Sequence, residues 1–436
     1  MALSRVPQTL TDWLNYIEGL HSSEIEFGLS RVNEVFVRLF TGGFKCRVIT
    51  VGGTNGKGST CSLVEALLIN AGYRCGKNTS PHISEFNERI VVDGFNADDE
   101  KIINAFQRVE AQRGDVLLTY FEYTFLVALV VFNQEGVDFA ICEVGMGGRL
   151  DAVNIMSPEV CVITNVGLDH TQWLGESRAE IALEKVAISR TQKPCIIGDM
   201  NFPENARHYL RDNNVPSLLN GTDFSYQVLA DDWQLNIAGE LSDQYLNDLL
   251  KSLPKLSADH QYQNACCAIL AVLSLRDVAL NYESIESALT QECLDGRCQI
   301  LSEKPHIIVD VAHNQDSVAA LSQFVQSVLP AANEKHETKT IAVISMLDDK
   351  DIYAALKEIS HQINEWHIAE LDVARAASLD KIHSMIKMVQ PESNVFQYND
   401  VITAFNNAKK SLKSADCLLV FGSFFTVSDI LSLYQK

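Results

Sequence analysis

The chain has 436 residues, of which 47% are hydrophobic and 21% charged. That is too long for one ordinary core, since single cores stop growing at about 250 to 300 residues, and too apolar for a disordered or collagen-like chain. With 35 basic against 56 acidic residues, the net charge of −21 opposes nonspecific attraction to nucleic acid or to an anionic membrane. Any anionic ligand has to be held by a local cradle. The eleven cysteines form no pair of CxxC motifs at zinc spacing, and several lie in apolar runs such as 139–144, so they are expected to be reduced and structural. The first twenty residues are interrupted by Arg5, Asp12 and Glu18 and lack the apolar core of a secretory signal. The longest apolar run, 125–132, is far short of a membrane span. A cytoplasmic location is expected.

In chain order, the first clear element is a strand at 48–51, followed by a glycine-rich turn and a helix from Ser59. In that helix Cys61, Val64, Leu68 and Ala71 recur at helical spacing, and Gly72 stands as a stop signal. Further strands are predicted at 139–144, 160–165 and 194–198. After Gly296 a second series follows, with strands at 307–311, 341–345, 366–371 and 418–421 and helices at 317–328 and 402–412. Strands alternating with helices imply mainly parallel sheets. The expected fold is α/β, a P-loop-type ATPase domain over residues 1–296 followed by a smaller Rossmann-like domain over 297–436. The stretch 294–297 is a candidate hinge, and 201–256 shows no clear period.

The strongest motif runs Gly52-Gly53-Thr54-Asn55-Gly56-Lys57-Gly58-Ser59-Thr60. Between a strand and a helix, its backbone N–H groups can surround phosphate oxygens, Lys57 can reach the terminal phosphates, and Ser59 or Thr60 can meet a magnesium ion. It departs from the general phosphate-loop pattern, because Val51 replaces the first glycine and Gly58 separates lysine from hydroxyl. A second motif, Glu143-Val144-Gly145-Met146-Gly147-Gly148-Arg149-Leu150-Asp151, puts a carboxylate at a strand end beside glycines that let a substrate approach the backbone, which makes Glu143 a candidate metal ligand. A third group joins Asn165, Asp169 and His170, with Lys185 one helix later. The last, Asp310-Val311-Ala312-His313-Asn314, follows a strand of the second domain, where Asn314 or Asp316 also suits a helix N-cap.

Together these segments resemble the Mur ligase superfamily and, within it, the folylpolyglutamate synthases, especially the bacterial type that also makes dihydrofolate. The resembling segments run in order over nearly the whole chain: 21–35, 53–60, 79–82, 118–123, 143–154, 168–175, 184–185, 261–265, 296–297, 310–314 and 421–427. The resemblance implies that ATP phosphorylates a substrate carboxylate and that the amine of L-glutamate attacks the acyl phosphate. It implies that Thr54, Asn55, Gly56, Lys57, Gly58, Ser59 and Thr60 hold the ATP phosphates and a first Mg2+. Ser80, Glu143 and His170 would hold a second Mg2+. By the same resemblance Asn264, Arg297 and Asp310 contact ATP, and His313 and Ser423 lie near the incoming glutamate. Lys185 corresponds to a lysine that many members carbamylate, and a monovalent cation is also admitted. Thr119, Phe121, Asp151 and Ala152 would form the dihydropteroate pocket, and the substrates would be dihydropteroate, reduced folates and L-glutamate. A monomer without nucleic-acid or membrane partners is expected. Cys298, Gln315 and Phe425 depart from residues frequent in the family, which leaves the second-domain contacts less defined.

Three other readings compete. A ligase acting on a UDP-linked cell-wall precursor is expected to carry a nucleotide-sugar domain before the phosphate loop. A P-loop switch would show no glutamate-dependent phosphate release. A noncatalytic binding module would have no use for the full set of phosphate and metal residues.

Overall fold

The computed structural model describes residues 7–21, 26–239, 249–256, 258–291, 295–329 and 338–434. Residues 22–25 of the 21–35 segment and Leu294 of the candidate hinge lie outside them. The chain divides into two compact units that are discontinuous in sequence. One comprises Met1–Val166, Leu174–Leu256 and Gln261–Glu292; the other comprises Gly167–Trp173, Ser257–His260 and Cys293–Lys436.

The first unit is built on an eight-stranded sheet: β1 (Arg47–Gly52), β2 (Cys75–Asn78), β3 (Ile90–Val92), β4 (Phe95–Asn96), β5 (Phe139–Glu143), β6 (Val160–Ile163), β7 (Cys195–Ile197) and β8 (Ser217–Leu219). Their order is β4-β3-β2-β5-β1-β6-β7-β8. All six strands from β2 to β8 in that order are parallel, and β3 and β4 extend the sheet antiparallel at one edge. Side chains alternate faces along a strand, and here both faces are dry. Val48, Ala140 and Cys142 point into one apolar cluster, while Ile49, Val51, Phe139 and Ile141 point into another. Runs buried on both sides are what an internal parallel strand requires, which is why 48–51 and 139–144 read as continuous apolar runs.

The helices of this unit include α1 (Leu10–Glu18), α2 (Ser30–Leu39), α3 (Lys57–Asn70), α4 (Asp99–Arg113) and α5 (Tyr120–Glu135). In α5 every residue from Glu122 to Phe132 is buried. A helix apolar all round belongs inside a large core, so the run 125–132 is a core helix. No helix among the described residues is long and apolar enough to cross a membrane. The region 201–256, without a clear period in the sequence, contains a three-stranded antiparallel sheet of β9 (Phe224–Val228), β10 (Asp232–Ile237) and β11 (Leu253–Pro254). Trp233, Leu235 and Ile237 alternate inward along β10, a period too short to stand out among the polar residues around it.

The second unit holds a six-stranded sheet of β12 (Gln299–Glu303), β13 (His306–Val309), β14 (Thr340–Ile344), β15 (Glu365–Ala369), β16 (Asn394–Tyr398) and β17 (Cys417–Phe421). The order is β12-β13-β17-β14-β15-β16, parallel except for β12. Helices Gln315–Val328, Ile352–Ile359 and Leu379–Val389 bury Leu321, Leu356 and Ile382 in its core. The fold is thus α/β with two largely parallel sheets, as the alternation of strands and helices predicts.

The ten cysteines among the described residues are free thiols and all buried. Burial pushes Cys46 up to about 11 and Cys267 and Cys417 up to about 12.

Candidate active site

β1 ends at Gly52 and the chain turns through Gly53 to Gly56 before α3 begins at Lys57. Gly53 has φ +147°, and a Cβ there would fall 1.8 Å from Thr164 Oγ1; Gly56 has φ +80°, and a Cβ would fall 2.4 Å from Asn264 Oδ1. Both positions therefore require glycine on conformational and steric grounds. Polar groups at the end of β6 hold the turn. Asn165 Oδ1 accepts the N–H groups of Thr54 at 3.1 Å and Asn55 at 2.8 Å, and Thr164 Oγ1 donates to Asn55 O at 2.6 Å. Gly56 caps α3 without a side chain, so no side chain competes for the first N–H groups of the helix, the donors that suit a phosphate.

Lys57 Nζ donates to Thr54 O at 3.1 Å and Thr60 Oγ1 to Gly56 O at 2.9 Å. Ser59 is partly accessible, whereas Thr60 is buried. Asn264, on the helix Asp259–Leu273, is itself buried, and its Nδ2 has no hydrogen-bond partner among the described residues. A buried, unmade amide hydrogen bond costs about 1 to 3 kcal/mol, and an acceptor on a nucleotide would relieve it. The glycine cradle and the orphaned amide fit ATP.

Glu143 ends β5, paired with Val51 of β1. Its Oε2 accepts the Ser80 N–H at 3.0 Å and would lie 3.6 Å from a Cβ on Gly58, so two of the expected metal residues meet beside the phosphate loop. No three His, Cys, Asp or Glu side chains among the described residues group as a metal cage. A divalent ion here would be held by Glu143 together with hydroxyl and nucleotide oxygens, as in magnesium sites with few carboxylates. His170 lies with Asp169 in the second unit and adopts φ +52°. Lys185, on α7 (Arg178–Val186; α6 is Thr171–Leu174 and α8 Glu204–Asp212), is buried and donates from Nζ to Gly53 O at 2.9 Å. It thus supports the phosphate loop from behind.

Two of the expected pterin residues meet at Gly145, where a Cβ would lie 2.7 Å from Phe121 and 3.2 Å from Asp151 Oδ2. Asp151 is buried; its oxygens accept N–H groups from Met146 at 2.8 Å and Val153 at 3.0 Å. Burial outweighs these bonds and pushes its carboxyl up to about 6. Ala152 is buried beside it, and Thr119 caps α5 in a reciprocal box with Glu122.

In the second unit, Asp310 accepts the N–H groups of Cys298 at 2.6 Å and Ala312 at 2.7 Å, bracing two loops. Arg297 lies 5.0 Å from the Phe424 ring centroid. Asn314 is the N-cap of its helix, as one sequence alternative had it, and Ser423 caps Phe424–Leu431. His313 Nδ1 contacts Val311 O at 2.8 Å, and its Nε2 lies 3.6 Å from Asp169 Oδ2. Asp169 is also met by Lys350 Nζ at 2.7 Å and Asn314 Nδ2 at 3.2 Å. Burial alone would raise the Asp169 carboxyl, but His313, Lys350 and His170 hold it well below the usual carboxylate range. Sequence reasoning missed Lys350, because a lysine among Asp348, Asp349 and Asp351 reads as solvated charge.

A phosphate loop on a parallel sheet, followed by a second α/β unit with its own polar loop cluster, defines an ATP-dependent ligase architecture. Residues 51–272 match the Mur ligase middle domain and 296–424 the Mur ligase glutamate ligase domain. The chain is 36% identical to the dihydrofolate synthase/folylpolyglutamate synthase of Escherichia coli K12, covering 99% of this chain and 98% of the relative. Its structure is similar to that of E. coli FolC in complex with DHPP and ADP, with a TM-score of 0.90 and 34% identity over 99% of both chains. It is also similar to the Yersinia pestis bifunctional folylpolyglutamate synthase/dihydrofolate synthase complexed with AMPPNP and Mn ion, with a TM-score of 0.88 and 34% identity over 99% of both chains. The chain belongs to the dihydrofolate synthase/folylpolyglutamate synthase branch of the Mur ligase family.

Proposed function

We propose that this protein ligates L-glutamate to dihydropteroate, giving dihydrofolate, and to reduced folates, giving folylpolyglutamates, at the expense of ATP. The observation that carries the proposal is the glycine cradle at the start of α3 with Glu143 and Ser80 at its side, in a chain whose E. coli and Y. pestis relatives are named for both activities. ATP phosphorylates the acid's carboxylate, turning a poor leaving oxygen into phosphate, and glutamate's amine displaces it. Lys57 and the helix N-terminus offset the negative charge that builds during transfer. Mg2+, when bound through Ser59, Ser80, Glu143 and His170, supplies further charge neutralisation. Asn264, Arg297 and Asp310 contact the nucleotide, and Phe121 and Asp151 receive the pterin by stacking and by accepting ring N–H groups. His313 and Ser423 receive the glutamate.

The division of labour follows residues 1–296 for the ATP phosphates and pterin and 297–436 for glutamate, with Arg297 and Asp310 added to the nucleotide. The protein acts as a cytoplasmic monomer, with two Mg2+ sites and a monovalent cation. Lys185 carries a carbamate in the active enzyme, because an ammonium beside two divalent ions is repelled and a carbamate attracted. Rescue of activity by bicarbonate at low pH supports the carbamate, and indifference to bicarbonate counts against it. The ligase activity itself is tested by phosphate release from ATP with Mg2+ and glutamate, offering dihydropteroate and tetrahydrofolate separately. Release with both acids is expected; release independent of glutamate would indicate a switch instead.

A further inference from the structure

Arg89 ends the short helical turn Phe86–Arg89 that follows the Ser80-Pro81-His82 loop. Its Nε donates to His82 Nδ1 at 2.7 Å, and its Cζ lies 5.5 Å from the Tyr120 ring centroid and 5.8 Å from that of Phe86. The two terminal nitrogens have no acceptor among the described residues. The nearest carboxylate in sequence is turned away, since Glu88 spends its oxygens on the N–H groups of Ile83, Ser84 and Glu85, each at 2.7 Å. The contrast with Arg113 is sharp: there both terminal nitrogens are satisfied by Gly114, Val116, Tyr16 and Glu110.

The guanidinium is half-buried, and burial lowers its pKa against the attraction of Tyr120, Glu143 and Glu88, so an anion that reaches the fork gains a partly desolvated partner. His82 accepts the Arg89 Nε–H through Nδ1, which only a neutral imidazole can do. Two aromatic rings and a neutral histidine fix the fork's plane and leave four N–H donors open. The segment carrying Arg89 also carries Ser80, whose N–H meets Glu143, and Tyr120 sits between Thr119 and Phe121 at the start of α5.

We propose that the open fork of Arg89, braced by His82 and flanked by Tyr120 and Phe86, receives a carboxylate of the acid substrate. The assignment rests on the ligase function proposed above. Two carboxylates share this chemistry: the aryl carboxylate of dihydropteroate, which is the reacting group, and the α-carboxylate of a folate's terminal glutamate, which is not. A planar fork binds either one bidentately, which a lysine cannot do.

The test is equilibrium binding of dihydropteroate, tetrahydrofolate and a dihydropterin-aniline lacking the carboxyl, to wild type, Arg89→Lys and Arg89→Met. Wild type, which needs no variant to fold, is expected to prefer dihydropteroate over the carboxyl-free analogue by roughly ten- to a hundredfold. Arg89→Met should abolish that preference and leave ADP binding intact, with Arg89→Lys restoring it only in part. A loss confined to dihydropteroate assigns the fork to the reacting carboxylate, and a loss confined to tetrahydrofolate assigns it to the α-carboxylate. Unchanged affinity of Arg89→Met for both dihydropteroate and tetrahydrofolate overturns the proposal, while glutamate-dependent phosphate release by wild type leaves the ligase function standing. Absence of that release removes both.

Discussion

The phosphate loop of the first unit and the Asp169 cluster of the second are both polar sites on α/β sheets, yet they are made differently. The loop is built from backbone: Gly53 and Gly56 shape it, Asn165 accepts two of its N–H groups, Thr164 donates to one of its carbonyls, and its charge partners arrive only with nucleotide. The Asp169 cluster is built from side chains, with Lys350, His313 and Asn314 converging on one buried carboxylate. A backbone cradle can lose a charged residue and remain folded. A buried charge cluster cannot lose one without leaving its partner unpaired.

The largest effect is therefore expected on stability at the cluster. Lys350→Met leaves the Asp169 carboxylate buried without its closest cation and should cost about 3 to 5 kcal/mol, read as a lower urea midpoint. Adding Asp169→Asn should recover much of the loss, and a double variant as unstable as the single one would show that Lys350 acts by packing. Lys57→Ala is the counterpart in the cradle. It should reduce turnover by at least on the order of a hundredfold with an unchanged urea midpoint; near-normal turnover would remove the loop from the mechanism.

Asp151 lies between these extremes, because its carboxylate is held by backbone N–H groups yet is desolvated. Asp151→Ala should weaken dihydropteroate by about 1 to 3 kcal/mol, or roughly ten- to a hundredfold in apparent affinity, and spare tetrahydrofolate in part. An unaffected variant would discard Asp151 from the pterin pocket. The smallest effect is on pH dependence. Burial pushes the folded carboxyl up to about 6 from an ordinary 3.8, so the folded state binds the proton more tightly. The resulting stability is present below the unfolded value and lost as pH rises through about 6. Asp151→Asn should gain on wild type in urea midpoint between about pH 4 and 6; a constant difference across that window would show that the carboxyl does not titrate there.

The same contrast explains what was legible in the sequence. The cradle is nine consecutive residues, and glycines mark it because backbone shape is written locally; the two-sheet α/β architecture was likewise visible in apolar runs buried on both faces. Asp169 and Lys350 are 181 positions apart, and no local pattern links them. Arg89 sits in a charged run, Glu85 to Arg89, that looks solvated until Glu88 is seen turned back on the loop. The edge strands β3 and β4 are three and two residues long, too short to show a period. Asn314 shows a further limit, since it is both an N-cap and a partner of Asp169, and sequence offers no way to choose between roles that a residue fills at once.

The buried thiols turn the molecule into its own unfolding recorder. A thiolate reacts with an alkylating reagent that can reach it, and a buried thiol is out of reach, so in the native state the ten described cysteines, all buried, are silent. Eight of them, Cys46, Cys61, Cys75, Cys142, Cys161, Cys195, Cys266 and Cys267, belong to the first unit, and Cys298 and Cys417 to the second. Peptide mapping of which become labelled first during slow denaturation would date the opening of each unit separately, without any introduced probe.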